Sequence, residues 1–189
     1  MYNFKNDIAS QDIATHKQIL EERFDAVVDV SSEHKSFQDF IVKKNNIEYI
    51  CECKTDSHTT GNIVVEMAQN VPLKELAKIR TYMPRDCTRW NSNNPDRVFV
   101  LKFLETLEPK EVGIGLAKLP KNHYYFYYFN NNGEYYMFNT NGLQKWIREH
   151  MSELAVVIPA TSQRIVGGPA WGSICVLIPL EKIKGKRLK

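Results

Sequence analysis

Apolar and polar residues alternate through most of this chain, and the period of that alternation changes only a few times. Asp7 to Phe24 carries Ile13, Ile19, Leu20 and Phe24 at helical spacing, which predicts an amphipathic helix. Asp25 to Ser31 predicts a strand with Ala26, Val27, Val28 and Val30, and Ser32 to Ser36 a polar loop. From Phe37 to Lys54, two apolar runs flank Lys43-Lys44-Asn45-Asn46, which has the composition of a turn. That stretch predicts a β-hairpin. Thr55 to Thr60 is polar. Gly61 to Glu66 predicts a third strand, on which Asn62, Val64 and Glu66 alternate with Ile63, Val65 and Met67.

The second half is read in the same way. Pro72 to Tyr82 predicts a helix with proline at its start. Arg85 to Arg97 reads as a loop and Val98 to Leu104 as a strand. The aromatic run Tyr124 to Phe129, the turn Asn130 to Gly133 and the run Glu134 to Asn139 predict a second hairpin. Thr140 suits the N-cap of a helix over Gly142 to Met151, with Leu143, Trp146 and Ile147 on one face. Ala155 to Pro159 is a short apolar segment. Gly167 to Gly172 is turn-rich, and Ser173 to Ile178 is the last predicted strand. No repeat or linker interrupts the 189 residues, which suit one α/β (α+β) domain.

The first hairpin is where this pattern meets chemistry. Side chains alternate across a strand, so Glu52 and Lys54 share one face while Tyr49, Cys51 and Cys53 point to the other, towards the core. If the two runs pair as a hairpin, Asp39 can lie beside Glu52. Two carboxylates and an ammonium suit metal-assisted phosphodiester cleavage. Mg²⁺ takes one or two carboxylates, with water and phosphate completing its shell. It also lowers the pKa of a bound water, and an adjacent lysine orients that water. The same three residues are equally the stuff of ordinary cross-strand ion pairs on a solvated face.

Asp39, Glu52-Cys53-Lys54 and Thr60-Gly61-Asn62-Ile63-Val64-Val65-Glu66 resemble the core of the PD-(D/E)XK nuclease superfamily, in particular its small phage and mobile-element members. His123 to Phe129 resembles the family's aromatic strand. Gly167-Gly168, Gly172-Ser173 and Leu177 to Leu180 resemble its closing segment. The likeness runs from about Asp7 to Ile183 and thins at 68–111, which reads as an insertion. It implies a restriction-endonuclease-like core with a central mixed β-sheet flanked by helices. It also implies a Mg²⁺-dependent endodeoxyribonuclease, with Mn²⁺ as substitute, that leaves a 5′-phosphate. Asp39, Glu52 and the Cys53 carbonyl would hold the metal, Lys54 would position the attacking water, and Glu66 would assist. Family members often add an acid from the early helix. A glutamate expected near Thr15 is absent, leaving Asp12, Glu21 and Glu22 as substitutes. The alternative is a catalytically silent member of the same fold that binds nucleic acid or a protein.

Composition narrows this further. Hydrophobic content is 43% and charged content 25%, so the chain is globular rather than disordered. A net charge of +3 does not by itself argue for nucleic acid. The local candidates for gripping DNA are the basic tail Lys182 to Lys189, the pair Lys43 and Lys44, His34, and Arg80, Arg85, Arg89 and Arg97 around Trp90. Each is also an ordinary surface feature. The tyrosines and phenylalanines of the aromatic strand either stack bases or pack. Cys51, Cys53, Cys87 and Cys175 form no CxxC pair and do not match an iron–sulfur spacing, so free thiols in a reducing cytoplasm are expected. The N-terminus lacks the apolar stretch of a signal peptide, and no apolar run is long enough to span a membrane. A cytoplasmic protein is expected. Its partner would be DNA, and a member that cuts both strands would be a homodimer.

Overall fold

A computed structural model describes residues 4–33, 37–56, 61–72, 74–76, 89–90, 96–157 and 171–183. The protein is mixed α/β, and its chain divides into two compact units, each made of two separated segments.

The first unit comprises Met1–Thr60 and Leu119–Asn141. Helix α1 (Phe4–Glu21) leads into β1 (Ala26–Asp29), β2 (Phe40–Lys44) and β3 (Ile47–Asp56), and the aromatic hairpin supplies β6 (His123–Phe129) and β7 (Glu134–Asn139). The sheet order is β1-β2-β3-β6-β7. Every neighbour is antiparallel except β3 and β6, which run parallel from Ile50↔His123 to Asp56↔Phe129. The sheet is therefore mixed.

The predicted turn closes the first hairpin in two residues. Asn45 and Asn46 take φ of 51° and 62°, the left-handed values that asparagine tolerates and that match the twist of paired strands. Alternation then does the rest. Phe40, Val42, Cys51, Cys53 and Phe126 point to one face and form a buried cluster with Leu20 of α1. Ile13, Ile19 and Phe24 pack against that cluster, so the apolar stripe read in α1 is the one it buries.

The second unit comprises Gly61–Lys118 and Gly142–Lys189. Its sheet has the order β4-β9-β8-β5, from β4 (Asn62–Pro72), β5 (Arg89–Trp90), β8 (Ala155–Val157) and β9 (Trp171–Pro179), all antiparallel. Ile63, Val65 and Met67 are buried, while Asn62, Val64 and Glu66 are half-buried, as the alternation predicted. The strand runs on to Pro72 through register shifts between Glu66 and Ala68 and between Ala68 and Val71, with Asn70 at φ 54°.

Three expectations need correction. The segment read as a strand over Val98 to Leu104 is a helix, α2 (Asp96–Glu105). Val98 and Val100 favoured a strand locally, but Val100 and Leu104 are one helical turn apart and both buried. Lys102 in the last turn also suits the helix's negative end. The loop over Arg85 to Arg97 contains β5, which pairs with Val156 and Val157. Thr140 does not serve as the expected cap. It is the first residue of α3 (Thr140–His150), and its buried hydroxyl bonds His123 instead. A final short helix, α4, spans Leu180–Ile183. Of the helix read over Pro72 to Tyr82, residues 74–76 are helical, and 77–82 lie outside the described residues.

Candidate functional site

Asp39 immediately precedes β2 and is fixed by its backbone on both sides. Its N–H donates to the Cys51 carbonyl at 2.9 Å, and its own carbonyl accepts the Val30 N–H at 2.9 Å. The side chain follows: Asp39 Oδ2 accepts the backbone N–H of Cys53 at 2.8 Å. That amide lies between Glu52 and Lys54 in the chain, so the bond draws the Asp39 carboxylate to the centre of the Glu-Cys-Lys triplet. A backbone donor to an ionised carboxylate is among the stronger hydrogen bonds.

Glu52 and Lys54 share a face of β3, as strand alternation requires. Lys54 Nζ lies 3.2 Å from Glu52 Oε1. The Glu52 side chain is only 10% exposed, whereas that of Lys54 is 46% exposed. A nearly buried carboxylate is thus held by a cation that still reaches water.

Cys53 turns its thiol to the opposite face. Burial pushes the Cys53 thiol well above its ordinary range and the Cys51 thiol up to about 12, with the Asp39 charge adding to both. Burial thus disfavours the thiolate form of both. What Cys53 offers the site is backbone.

The predicted sites therefore divide between the units. Asp39, Glu52, Cys53 and Lys54 come together in the first. Glu66 belongs to the second, on β4, where its carboxylate accepts the Ser173 hydroxyl of β9. The backbone around Glu66 is also engaged: its carbonyl accepts the Gly115 N–H at 2.8 Å, and the Met67 carbonyl accepts the Gly113 N–H at 3.0 Å. A Cβ on Gly113 would stand 2.4 Å from the Glu66 carbonyl oxygen, so only glycine fits there. Gly61, by contrast, needs its freedom for its φ of 64°, with open space around it.

The donor set fits a hard cation. Two carboxylates and a peptide carbonyl are all oxygen ligands, and Mg²⁺ needs no more than two carboxylates when water and phosphate complete its shell. Among the described residues, no three His, Cys, Asp or Glu side chains gather as a dedicated metal cage. No family model, curated protein or solved structure matches this chain.

Two groups near the site escaped the sequence reading. Asp56 continues the Glu52, Lys54 row on the same face of β3. It is 6% exposed, and its Oδ2 accepts the Tyr127 hydroxyl at 2.9 Å. The alternation Glu52-x-Lys54-x-Asp56 was the available signal. On the other face, Thr55 Oγ1 lies 2.9 Å from His16 Nε2 of α1. His16 meets Phe126 and Tyr128 edge-on, and burial, with the Lys54 charge second, lowers its pKa to about 4. Asp12, one turn earlier, also hydrogen-bonds Thr55, yet burial raises its pKa. Of the three substitute acids in α1, Asp12 is thus the one engaged with the residue after Lys54. Glu21 pairs with Lys17 on the exposed side, and Glu22 is exposed.

The candidate DNA-gripping residues are mostly occupied locally or not described. Lys43 pairs with Glu48 across the hairpin at 3.7 Å, and Lys44 donates to the Arg23 carbonyl at 3.0 Å. Tyr125, Phe126, Tyr127 and Phe129 are buried, so on these four the aromatic strand packs. His34, Arg80, Arg85, Gly167, Gly168 and residues 184–189 lie outside the described residues, as do the side chains of Arg89, Trp90 and Arg97. No described helix is long and apolar enough to cross a membrane.

Proposed function

We propose that this protein is a metal-dependent nuclease that hydrolyses phosphodiester bonds in DNA, on a restriction-endonuclease-like core. The observation that carries the proposal is the bond from the Cys53 amide to Asp39. It sets one carboxylate against the backbone between a buried carboxylate and an accessible lysine. Asp39, Glu52 and the Cys53 carbonyl would hold Mg²⁺, and Mn²⁺ would substitute. Bound there, the metal would polarise the phosphate and acidify a water.

The chain's own residues supply the rest. Glu52, largely shielded from solvent, lies 3.2 Å from the Lys54 ammonium. The Lys54 side chain is 46% exposed, so it would orient the attacking water and offset charge gathering on the phosphorus oxygens. The β3–β6 pairing holds the strand that carries both. Cutting both strands would call for a homodimer.

A second reading draws on the Glu52–Lys54 pair itself. Such a pair also satisfies an ordinary strand face, as in a silent module that binds nucleic acid or protein.

The deciding experiment incubates the protein with plasmid, linear, single-stranded and branched DNA in Mg²⁺ or Mn²⁺, with EDTA and Glu52→Gln as controls. Metal-dependent cutting that EDTA and Glu52→Gln abolish is expected. DNA binding without cutting would replace the nuclease by the silent module. Neither cutting nor binding would remove both nucleic-acid readings.

A further inference from the structure

His123 opens β6 and is 1% exposed, with its ring nitrogens directed to Phe37 and Thr140. Its Nε2 lies 2.6 Å from the Phe37 carbonyl oxygen and its Nδ1 lies 2.8 Å from Thr140 Oγ1. A carbonyl oxygen can only accept. Nε2 must therefore carry the proton, and Nδ1 of the neutral ring accepts from the threonine hydroxyl. Burial lowers the pKa of the ring, which agrees with a neutral imidazole.

The residue it grips is unusual. Phe37 has φ 62°, a left-handed conformation that a bulky side chain rarely adopts and that persists only where neighbours impose it. Two residues later comes Asp39. The short path Phe37-Gln38-Asp39 thus has one end held by His123 and the other held by the Cys51 carbonyl and the Cys53 amide.

We infer that His123 is a positioning residue: its Nε2–H holds the Phe37 turn so that the Asp39 carboxylate stays on the Cys53 amide. Thr140 fixes the ring from behind. The consequence for cation binding rests on the nuclease reading, whereas the positioning of Asp39 does not. Groups that orient a ligand from behind commonly alter metal affinity by about 10- to 100-fold when removed.

The test compares His123→Gln, whose amide can put a donor near the Nε2 position, with His123→Asn, whose amide reaches only the Nδ1 position. Hydrogen exchange of the Cys53 amide is the first readout, because that amide bonds Asp39 and not a neighbouring strand. The Ile50 amide, bonded to the Asn122 carbonyl, is the internal control. Cys53 exchange should rise roughly tenfold over Ile50 in His123→Asn and stay near wild type in His123→Gln. Unchanged Cys53 exchange in His123→Asn would overturn the proposal. The wild-type ring gives an answer even if His123→Asn does not fold. Nitrogen NMR should find the proton on Nε2, coupled through the hydrogen bond to the Phe37 carbonyl; a proton on Nδ1 would overturn the proposal.

The second readout is the Mg²⁺ concentration for half-maximal cleavage, expected to rise about tenfold in His123→Asn with a smaller change in kcat. An unchanged requirement would overturn the link to the cation. Wild-type protein that cuts nothing, but shows the Cys53 effect in His123→Asn, would end the nuclease reading and leave the positioning role standing.

Discussion

Lys54→Met separates a catalytic lysine from a surface ion pair, because the two roles predict different magnitudes. At 3.2 Å the gross attraction between Lys54 and Glu52 is about 1 kcal/mol in water and about 5 kcal/mol at an effective dielectric of about 20. The lysine side chain is 46% exposed, so screening and side-chain entropy reduce the net contribution to about 1 kcal/mol or less. In a protein of this size that moves Tm by about 2–4 °C. Methionine preserves most of the aliphatic stem, which limits any packing loss. A lysine that orients water and offsets developing charge contributes far more to rate. A loss of about 10²- to 10⁴-fold is expected, equivalent to about 3–5 kcal/mol of barrier. The assay is initial-rate plasmid nicking in Mg²⁺ at a temperature well below both melting transitions. The variant should be folded and at least about 100-fold slower. A folded Lys54→Met that nicks within about tenfold of wild type would refute the catalytic assignment and reduce the pair to surface electrostatics.

Three further outcomes follow from contacts described above. Tyr127→Phe removes the hydroxyl that Asp56, 6% exposed, accepts at 2.9 Å, so thermal unfolding should show a loss of about 1–3 kcal/mol; a change under about 0.5 kcal/mol would mean the bond contributes nothing net. Gly113→Ala drives a methyl to 2.4 Å from the Glu66 carbonyl oxygen and should cost about 1–3 kcal/mol by the same assay, with an unshifted Tm contradicting the close approach. His16, with its pKa lowered to about 4 from an ordinary 6.5, binds its proton more weakly in the folded protein than in the unfolded chain. Its contribution is complete above pH 6.5 and is lost as pH falls towards 4, amounting to about 3 kcal/mol. Urea midpoints at pH 7 and pH 4.5 should therefore diverge more in wild type than in His16→Gln, and equal divergence would contradict the burial argument.

The first hairpin was legible because its signals are local. Lys43-Lys44-Asn45-Asn46 marked the turn, and alternation placed Glu52 and Lys54 opposite Cys51 and Cys53. The register then had to put Asp39 next to Glu52. Alternation also gave the correct faces of β4. Val98 to Leu104 misled because a short apolar run carries no clear period, and the joint burial of Val100 and Leu104, one helical turn apart, emerges with the folded chain. Glu66 shows a different limit: its polar face was readable, but its assignment to a sheet separate from β3 was not, because strand partners are set by tertiary contacts. Nor could the sequence give His123 its work. It reads as the polar start of an aromatic strand, and its partners, Phe37 and Thr140, are brought to it by the parallel pairing of β6 with β3 and by the hairpin return through β7.

That parallel pairing also bears on synthesis. β2 and β3 leave the ribosome together, whereas β6 follows only after residues 57–122 have been made. During that interval one margin of β3 has unpaired amides and carbonyls, and Cys51, Cys53 and Phe40 lack the Phe126 side chain that completes their burial. Pairing so distant in sequence closes slowly and leaves the nascent chain open to wrong partners. A chain stopped anywhere from 61 to 118 would thus release an adhesive half-sheet rather than a smaller working protein, and early termination should be read in the insoluble fraction.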